Sequence, residues 1–338
     1  MKALVTGGGG FLGGAVVDAL LARGDEVTSL ARGAYPALAD RGVRVLRGDL
    51  AELGAAREAV TGQDVVFHVA AKAGIWGTDA DFHRSNVEGT RVLLAACREA
   101  GVGRFVFTST PSVVHTGGDI AGGHEGLPYA THFDSAYPRT KAEAERLVLA
   151  ANGPAMATTA LRPHLVWGPG DTQLVPRILD RARAGRLALV GDGSAVIDTT
   201  YIDDAARAHL DAADSLATPG AVCAGRPYFV TSGDPRPVRE LVDGILAAGG
   251  MGPVRVTVPR PVAVAAGAAV ETVWRGLGLA SARGWIADPG EPPMTRFLAR
   301  QLATEHWFDI TAARRDLGYA PQVDLDEGFA RLAISLAG

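Results

Sequence analysis

A glycine-rich turn close to the start of the chain constrains the fold more than any other feature. Residues 3–6 form a short apolar run, residues 6–13 have the sequence Thr-Gly-Gly-Gly-Gly-Phe-Leu-Gly, and residues 14–23 have helical periodicity. A strand, a glycine-rich turn and a helix in this order can cradle a dinucleotide pyrophosphate, because the free N–H groups and partial positive charge of the helix N-terminus face the phosphates. The order therefore predicts a dinucleotide-binding fold.

Each glycine of this turn has an expected role. Gly7 allows the tight turn, Gly10 lets the backbone approach the pyrophosphate, and Gly13 permits close packing of the helix on the strand. Phe11 and Leu12 lie between Gly10 and Gly13 of the turn, and we expect them to bind the cofactor as well.

The end of the second predicted strand distinguishes between the two nicotinamide dinucleotides. NAD enzymes usually place Asp or Glu there to bind the ribose hydroxyls. Residues 29–33 are instead Ser-Leu-Ala-Arg-Gly, and Arg32 can pair with a 2′-phosphate through two hydrogen bonds. We therefore predict NADP(H) as the cofactor, the alternative being that Arg32 is a solvated surface residue.

Further cofactor contacts are expected where the third and fourth strands end. Asp49 and Leu50 follow the third strand and are placed to meet the adenine edge. Ala70 and Ala71 end the fourth strand, and their small side chains would let the cofactor pass close by. Lys72, the next residue, is a further candidate for cofactor binding.

Predicted strands alternate with predicted helices through the first half of the chain. Further strands are expected at residues 25–30, 43–46, 64–69, 104–108 and 158–161. Buried apolar strands separated by helices predict an α/β fold with a Rossmann-type, doubly wound parallel sheet.

The second half of the chain is less regular and richer in Pro and Gly. We predict a dinucleotide-binding Rossmann domain at residues 1–165 and a mainly substrate-binding region at residues 166–338. Within the second region, residues 197–232 are expected to return to the core.

A Tyr and a Lys near the middle of the chain suggest the chemistry. Tyr137 and Lys141 lie four residues apart, so they share one helix face, and Pro138 places Tyr137 at or near the helix N-terminus. A nearby ammonium and an oxidised nicotinamide would lower the pKa of Tyr137 from about 10. We therefore predict that Tyr137 is the general acid for reduction and the base for oxidation.

Hydroxyl groups end the fifth predicted strand, at the same edge of the sheet. Residues 108–110 are Thr-Ser-Thr, and a hydroxyl there can hydrogen-bond a substrate oxygen and hold it for hydride transfer. Either Ser109 or Thr110 could supply that hydroxyl.

Charge and composition exclude several classes of function. The 338 residues include 33 Lys plus Arg and 37 Asp plus Glu, a formal charge of −4, with no basic tract to indicate a nucleic-acid partner. Cys97 and Cys223 lack metal-ligand or redox spacing, so no metal is expected, and the usage is typical of a reducing compartment. Met1 leads directly into the first strand, from which we expect a cytoplasmic protein without a leader.

Residues 262–279 form an apolar segment interrupted by Glu271 and Arg275. Its longest uncharged stretch is shorter than the roughly 20 residues that span a bilayer. It is expected to be a buried or substrate-covering helix, or an interfacial helix that makes peripheral contact with a membrane or an apolar partner.

These motifs resemble those of the extended short-chain dehydrogenase/reductase family over nearly the whole chain. The glycine turn, Tyr-x-x-x-Lys, the Leu-Arg-Pro of residues 161–163 and the Trp-Gly-Pro-Gly-Asp of residues 167–171 stand in the expected order. The resemblance implies that Lys141 also holds the cofactor ribose and that this fold often dimerises through two core helices.

The resemblance also assigns further site residues. Thr110 corresponds by position to the catalytic Ser or Thr, although Ser109 is adjacent. Asn86 matches the helix asparagine that lines the catalytic site, and Pro163 and Leu165 match the segment that backs the nicotinamide.

Within this family the chain is most similar to the 3β-hydroxysteroid dehydrogenase-like group, in residues 292–296, 307–310 and 313–319. Residues 69–77 and 161–171 resemble bacterial reductases of long-chain olefin hydrocarbon biosynthesis. That resemblance implies NADPH-dependent reduction of 2-alkyl-3-oxoalkanoic acids to 2-alkyl-3-hydroxyalkanoic acids. It also implies partner enzymes that form a β-lactone from the product and decarboxylate it.

Three other functions remain as alternatives. A 3β-hydroxysteroid dehydrogenase would share the general motifs and favour NAD. A nucleotide-sugar epimerase or reductase is disfavoured, because Thr110 is followed by Pro111 and Ser112 rather than Asp-Glu, and then by Val-Val-His rather than Val-Tyr-Gly. An NADPH-sensing binding protein would typically lose the Tyr and Lys pair, which this chain keeps.

Overall fold

The computed structural model describes residues 1–74, 76–282, 287, 290, 292 and 295–338. The first half alternates strands and helices, as follows: β1 (Lys2–Thr6), α1 (Phe11–Ala22), β2 (Glu26–Ala31), α2 (Pro36–Ala39), β3 (Arg44–Arg47), α3 (Leu53–Val60), β4 (Val65–His68), α4 (Asp79–Phe82), a π-helical segment (His83–Glu88), α5 (Gly89–Ala100), β5 (Arg104–Thr108), a 3₁₀ turn (Pro111–Val113), β6 (Ile120–Gly123), α6 (Ala136–Ala150) and β7 (Ala157–Pro163).

The second half has shorter strands between its helices: β8 (Val166–Trp167), α7 (Leu174–Arg183), β9 (Leu189–Val190), β10 (Val196–Ile197), β11 (Thr200–Tyr201), α8 (Ile202–Ser215), β12 (Pro227–Val230), β13 (Arg236–Pro237), α9 (Val238–Ala248), β14 (Thr257–Val258), α10 (Arg260–Ala282), α11 (Arg296–Gln301), β15 (His306–Phe308), α12 (Thr311–Leu317) and α13 (Leu325–Ala337).

Seven parallel strands form the main sheet, in the order β3-β2-β1-β4-β5-β7-β12. Thr6 lies opposite Leu30 on one side and His68 on the other, so three strands end at one edge. The strand order reverses between β1 and β4, and open sheets of this kind bind ligands at that position on the carboxyl edge. The predicted α/β, Rossmann-type sheet is confirmed.

Helices cover both faces of this sheet. Leu4 and Val5 are neighbours on β1 and both are fully buried, because successive strand residues point to opposite faces and each face carries helices. Leu4 packs in the cluster that contains residues of α3, α5 and α6, whereas Val5 packs with residues of α1, α8 and α12. This double burial explains why the predicted strands are continuous apolar runs.

Part of the second half joins the main sheet. In β12, Tyr228 pairs with Leu161 of β7 in parallel, and α8 packs against α1. A separate apolar cluster joins α7, α9 and α13 and also contacts Phe11 and Leu12 at the start of α1. That contact places the second region beside the glycine turn. A domain boundary near residue 165 stays a prediction.

The apolar segment predicted at residues 262–279 lies within α10. Ala263 is buried against Val190, whereas Val262 and Val273 are 55% and 56% exposed. Glu271 accepts hydrogen bonds from the backbone N–H of Arg296 at 2.7 Å and from its Nε at 2.8 Å, which ties α10 to α11. In the described part of the chain, no helix is both long and apolar enough to cross a bilayer. Positions 75, 293 and 294 of the motifs lie outside the described residues.

Candidate active site

A cleft of about 800 Å³ opens at the carboxyl edge of the main sheet. Its walls come from the glycine turn, the ends of β2, β4, β5 and β7, and the starts of α6 and α7. The predicted cofactor-binding residues, with the exception of Lys141, line this cleft: Gly7, Gly10, Phe11, Leu12, Gly13, Arg32, Asp49, Leu50, Ala70, Ala71, Lys72, Tyr137, Pro163 and Leu165. Residues that are distant in the sequence therefore share one surface, while their individual roles stay predictions.

The glycine turn has no room for side chains at two positions. Gly7 has a φ of +74°, and a Cβ there would lie 2.9 Å from Cα of Ala70. A Cβ at Gly13 would lie 2.1 Å from the carbonyl oxygen of Gly7, so α1 packs directly on the turn. The first turn of α1 therefore faces the cleft with its backbone, as a dinucleotide pyrophosphate requires. The residues present fit such a cofactor.

A buried hydrogen-bonded chain supports the turn from below. Thr90 Oγ1 donates to the carbonyl oxygen of Asn86 at 2.6 Å, so it accepts from Nε2 of His68, 2.9 Å away. Nδ1 of His68 then accepts from Thr6 Oγ1 at 2.8 Å, and the backbone N–H of Ala70 donates to that hydroxyl at 3.1 Å. Burial lowers the pKa of His68 to about 3. This neutral imidazole fixes the ends of β1 and β4 and does not face the cleft.

Arg32 and Asp49 line the part of the cleft where the adenosine half of a dinucleotide is expected. Arg32 is exposed, and Arg47 Nε donates to its carbonyl oxygen at 3.1 Å. Asp49 accepts from the backbone N–H of Ala51, which lowers the pKa of its carboxyl group, and pairs with Arg84 at 2.9 Å. Arg32 is near enough to Asp49 to help lower the pKa of that carboxyl group, but among the described residues it forms no ion pair, so its guanidinium is open to an anion.

Tyr35 is a cleft residue that the sequence did not suggest. Its ring is 36% exposed and covers the glycine turn, since a Cβ built on Gly9 would lie 2.3 Å from ring carbons. The aromatic ring therefore forms a wall next to Arg32. The only sequence signal was its place four residues after the end of β2 at Ala31.

Tyr137 is the second residue of α6. Ser135 precedes the helix and is extended, with a φ of −149°. Burial raises the pKa of Tyr137 to about 12, and the contact of its hydroxyl with Thr110 acts in the opposite direction. The expectation that the protein lowers this pKa is wrong for the protein alone. Tyr137 therefore keeps its proton at neutral pH.

Lys141 lies one turn further along α6 but does not line the cleft. Its Nζ donates to the carbonyl oxygen of Thr108 at 2.5 Å and lies 4.0 Å from the centroid of the Phe107 ring. Burial lowers the pKa of Lys141 to about 7, opposed by the charge of Glu145. Near neutral pH the amine is therefore poised between its charged and neutral forms.

A fully buried ion pair lies behind Lys141. Oε1 of Glu145 accepts from Nη2 of Arg162 at 2.5 Å and from the hydroxyl of Tyr129 at 2.7 Å. Nε of Arg162 donates to Oε2 of the same carboxylate at 3.1 Å. Paired, the two charges avoid the cost of an isolated buried ion. The sequence signal for this pair was an arginine that directly follows the apolar Ala160 and Leu161 in β7.

Thr110 and Ser109 differ in their surroundings. Thr110 contacts Tyr137, and its Oγ1 lies 3.3 Å from both Oγ and the backbone N of Ser112. Oγ of Ser109 is buried and has no hydrogen-bond partner among the described residues. The contact with Tyr137 favours Thr110 as the catalytic hydroxyl, and Ser112 is a further cleft hydroxyl that the sequence did not suggest.

Asn86 lies in the π-helical segment and is 2% exposed. Its side chain accepts from the backbone N–H of Lys72 at 2.7 Å and donates to the carbonyl oxygen of Lys72 at 3.1 Å and to Thr140 Oγ1 at 3.0 Å. We expected Asn86 to line the site, but it is not among the residues of the cleft wall. It is a positioning residue that joins the end of β4 to the helix of Tyr137.

The chain is similar in sequence and fold to known oxidoreductases and dehydratases. The model of the 3-beta hydroxysteroid dehydrogenase/isomerase family matches residues 4–259. The chain is 52% identical over 339 residues to a 2-alkyl-3-oxoalkanoate reductase of Stenotrophomonas maltophilia, with 100% of both chains covered. It is 43% identical over 341 residues to a protein of that name from Shewanella oneidensis, covering 99% of this chain and 86% of the relative. It resembles a dTDP-glucose 4,6-dehydratase from Streptomyces venezuelae, solved with NAD, at a TM-score of 0.74 and 27% identity over 100% and 97% of the chains.

Proposed function

The chain belongs to the 3-beta hydroxysteroid dehydrogenase/isomerase family of extended short-chain dehydrogenases/reductases and is an NAD(P)-dependent oxidoreductase, and on this premise we propose its substrate and cofactor. It reduces the 3-oxo group of long-chain 2-alkyl-3-oxoalkanoic acids with NADPH and produces 2-alkyl-3-hydroxyalkanoic acids. The observation that carries this proposal is the 52% identity, over the full length of both chains, to a reductase named for that substrate.

The side chains of the cleft support a simple division of roles. When bound, a reduced nicotinamide supplies the hydride for C3. Tyr137 donates its proton to the substrate oxygen as that oxygen gains negative charge, and Thr110 donates a second hydrogen bond to hold it. A tyrosine that keeps its proton at neutral pH is matched to an alkoxide, a stronger base than phenolate. The Lys141 ammonium stabilises the tyrosinate that remains.

Arg32 supports the choice of NADPH. The end of β2 carries no acidic residue to bind a free 2′-hydroxyl, and Arg32 is an exposed cation on the cleft wall. A hydrogen bond to a charged group contributes about 1.5–3 kcal/mol. Arg32→Ser should therefore raise the KM for NADPH by roughly 10-fold to 150-fold. The KM for NADH is the internal control and should change little; equal loss for both cofactors would contradict the assignment.

The assay that tests the function runs in the oxidative direction, because free β-keto acids lose CO₂ spontaneously. A long-chain 2-alkyl-3-hydroxy acid is offered with NADP⁺, and nucleotide reduction is followed by absorbance. We expect turnover that Tyr137→Phe abolishes. Intact NADPH binding and unchanged biological activity in Tyr137→Phe would instead favour a cofactor-sensing binding protein.

A 3β-hydroxysteroid dehydrogenase is the second candidate, favoured by the family match over residues 4–259. In the same assay, a 3β-hydroxysteroid is offered with NAD⁺ and with NADP⁺. Turnover of the steroid without turnover of the hydroxy acid would reject the 3-oxo acid as substrate, whereas the roles of Thr110, Tyr137 and Lys141 would stand.

The product also suggests partners. A 2-alkyl-3-hydroxy acid carries the two groups that a β-lactone synthetase joins, and a decarboxylase acting on that lactone would release an olefin. We propose that such enzymes consume the product and that the protein is a homodimer. Light scattering coupled to size exclusion measures the oligomeric state, and a mass of one chain would reject the dimer.

A further inference from the structure

Ser112 places a third hydroxyl beside the two that are expected to hold the substrate oxygen. Thr110 caps the 3₁₀ turn of Pro111–Val113, and Oγ of Ser112 lies 3.3 Å from Oγ1 of Thr110. Thr110, Ser112 and Tyr137 all line the cleft. Without substrate, Thr110 donates its single hydroxyl proton to Ser112; with substrate bound, that proton turns to the keto oxygen. In both arrangements no other described residue accepts the proton of Ser112. Ser112 can therefore donate a hydrogen bond to a ligand.

The chemistry of a 3-oxo acid gives this hydroxyl a specific counterpart. The carboxylate of such an acid is bonded to C2, the carbon next to the keto group. When the carboxylate turns toward the keto group, one carboxylate oxygen can lie about 3 Å from the keto oxygen. Two neighbouring donors can then each bond one of these two acceptors. The spacing of 3.3 Å between the hydroxyls of Thr110 and Ser112 matches this arrangement.

We propose that Ser112 binds the carboxylate of the 3-oxo acid next to the keto oxygen and thereby holds the C1–C2 bond near the plane of the carbonyl group. This inference rests on the proposed function and deepens it. Its consequence is that the enzyme reduces a molecule that otherwise loses CO₂ easily.

Two outcomes compete for the bound substrate. In reduction, hydride adds to C3, the proton of Tyr137 goes to the keto oxygen, and the C1–C2 bond is kept. In decarboxylation, the C1–C2 bond breaks and CO₂ leaves. The electron pair of the broken bond forms the C2–C3 double bond of an enolate, and protonation of the enolate oxygen gives the enol of a ketone. The second path requires the C1–C2 bond to align with the carbonyl π orbital. A C1–C2 bond in the carbonyl plane is perpendicular to that orbital, so its cleavage is slow.

Ser112→Ala tests the binding of the carboxylate. A freshly prepared 2-alkyl-3-oxo acid and its methyl ester are each reduced with NADPH by the wild type and the variant. Loss of a hydrogen bond to a charged group should lower kcat/KM for the acid by roughly 10-fold to 150-fold. The ester lacks the charge, so its kcat/KM should change much less. Ser112→Thr, which keeps a hydroxyl, should retain most of the preference for the acid.

A second readout tests the geometry. The ratio of dialkyl ketone to hydroxy acid is measured by mass spectrometry, after subtraction of the CO₂ loss that occurs without enzyme. We expect Ser112→Ala to raise this ratio at least several-fold. Thr116→Ala removes an exposed hydroxyl from the same loop and should match the wild type in both experiments.

The outcomes separate this inference from the function on which it rests. Failure of the wild type to reduce the acid would reject the proposed function. Reduction by the wild type, together with equal losses for acid and ester in Ser112→Ala, would overturn the binding of the carboxylate by Ser112. A selective loss for the acid with an unchanged ketone ratio would overturn the in-plane geometry.

Discussion

Replacing Lys141 by methionine should change how the free energy of unfolding depends on pH. Lys141 is 2% exposed, and burial lowers its pKa from 10.5 to about 7. Between these two values the unfolded chain binds more protons than the folded protein, so raising the pH stabilises the wild type. Methionine fills a similar volume and has no proton to exchange. The difference between wild type and variant therefore isolates the titration of this one amine.

The magnitude follows from the two pKa values. Below pH 7 the penalty for burying the charge is fully present, and it disappears as the pH approaches 10.5. Integrating the difference in bound protons between pH 6 and pH 9 gives a change of about 2.5 kcal/mol. The wild type should gain this amount relative to Lys141→Met over that range.

Denaturant unfolding of the nucleotide-free protein at both pH values measures the effect, since bound nucleotide would add its own stabilisation. Lys2→Met removes a lysine whose side chain is 57% exposed and is the matched control, for which we expect the same difference at both pH values. If the difference for Lys141→Met is equally independent of pH, then burial does not set the protonation of Lys141 and the reasoning is refuted.

Three further predictions follow from the site and its turn. Tyr137→Phe should lower kcat/KM for reduction by about 10²-fold to 10⁴-fold while NADPH binding, followed by fluorescence titration, stays the same; a loss of less than tenfold would exclude it as the proton donor. Because burial lowers the pKa of Lys141 to about 7 and raises that of Tyr137 to about 12, kcat/KM for reduction should fall above pH 7 as the ammonium is lost, and a flat profile to pH 9 would contradict this. Gly13→Ala places a Cβ 2.1 Å from the carbonyl oxygen of Gly7 and should abolish NADPH binding, measured by titration. In Gly14→Ala the new Cβ meets nothing closer than 3.5 Å, so this control should stabilise α1 by about 0.5–1 kcal/mol in thermal unfolding. Equal behaviour of the two variants would contradict the close packing at Gly13.

The sheet and the cofactor cleft could be predicted because their signals are local. A glycine turn between a strand and a helix, together with apolar strands separated by helices, indicates a parallel sheet whose carboxyl edge collects the ends of its strands. Arg32, Asp49 and Ala70 were assigned to the cleft for that reason, and they line it.

The contacts of buried polar groups were not predictable in the same way. The pairing of Glu145 with Arg162 depends on α6 lying on β7, and no local pattern specifies which buried acid faces which buried base. The direction of the pKa shift of Tyr137 depends on burial, which raises the pKa by more than the contact with Thr110 lowers it. Asn86 was placed on the site by the family resemblance, whereas its hydrogen bonds turn it toward Lys72 and Thr140.

The pairing of β12 with β7 has a consequence for engineering this chain. A fragment ending near residue 165 would leave β7 as an edge strand, paired only with β5, and would expose the face of α1 that α8 covers. The hydroxyl of Tyr319, beyond α12, also donates to the carbonyl oxygen of Thr231 just after β12. Chimeras that exchange substrate regions between relatives should therefore keep α8, β12 and α12 with the parent that supplies the glycine turn, and restrict the exchange to the segments between them.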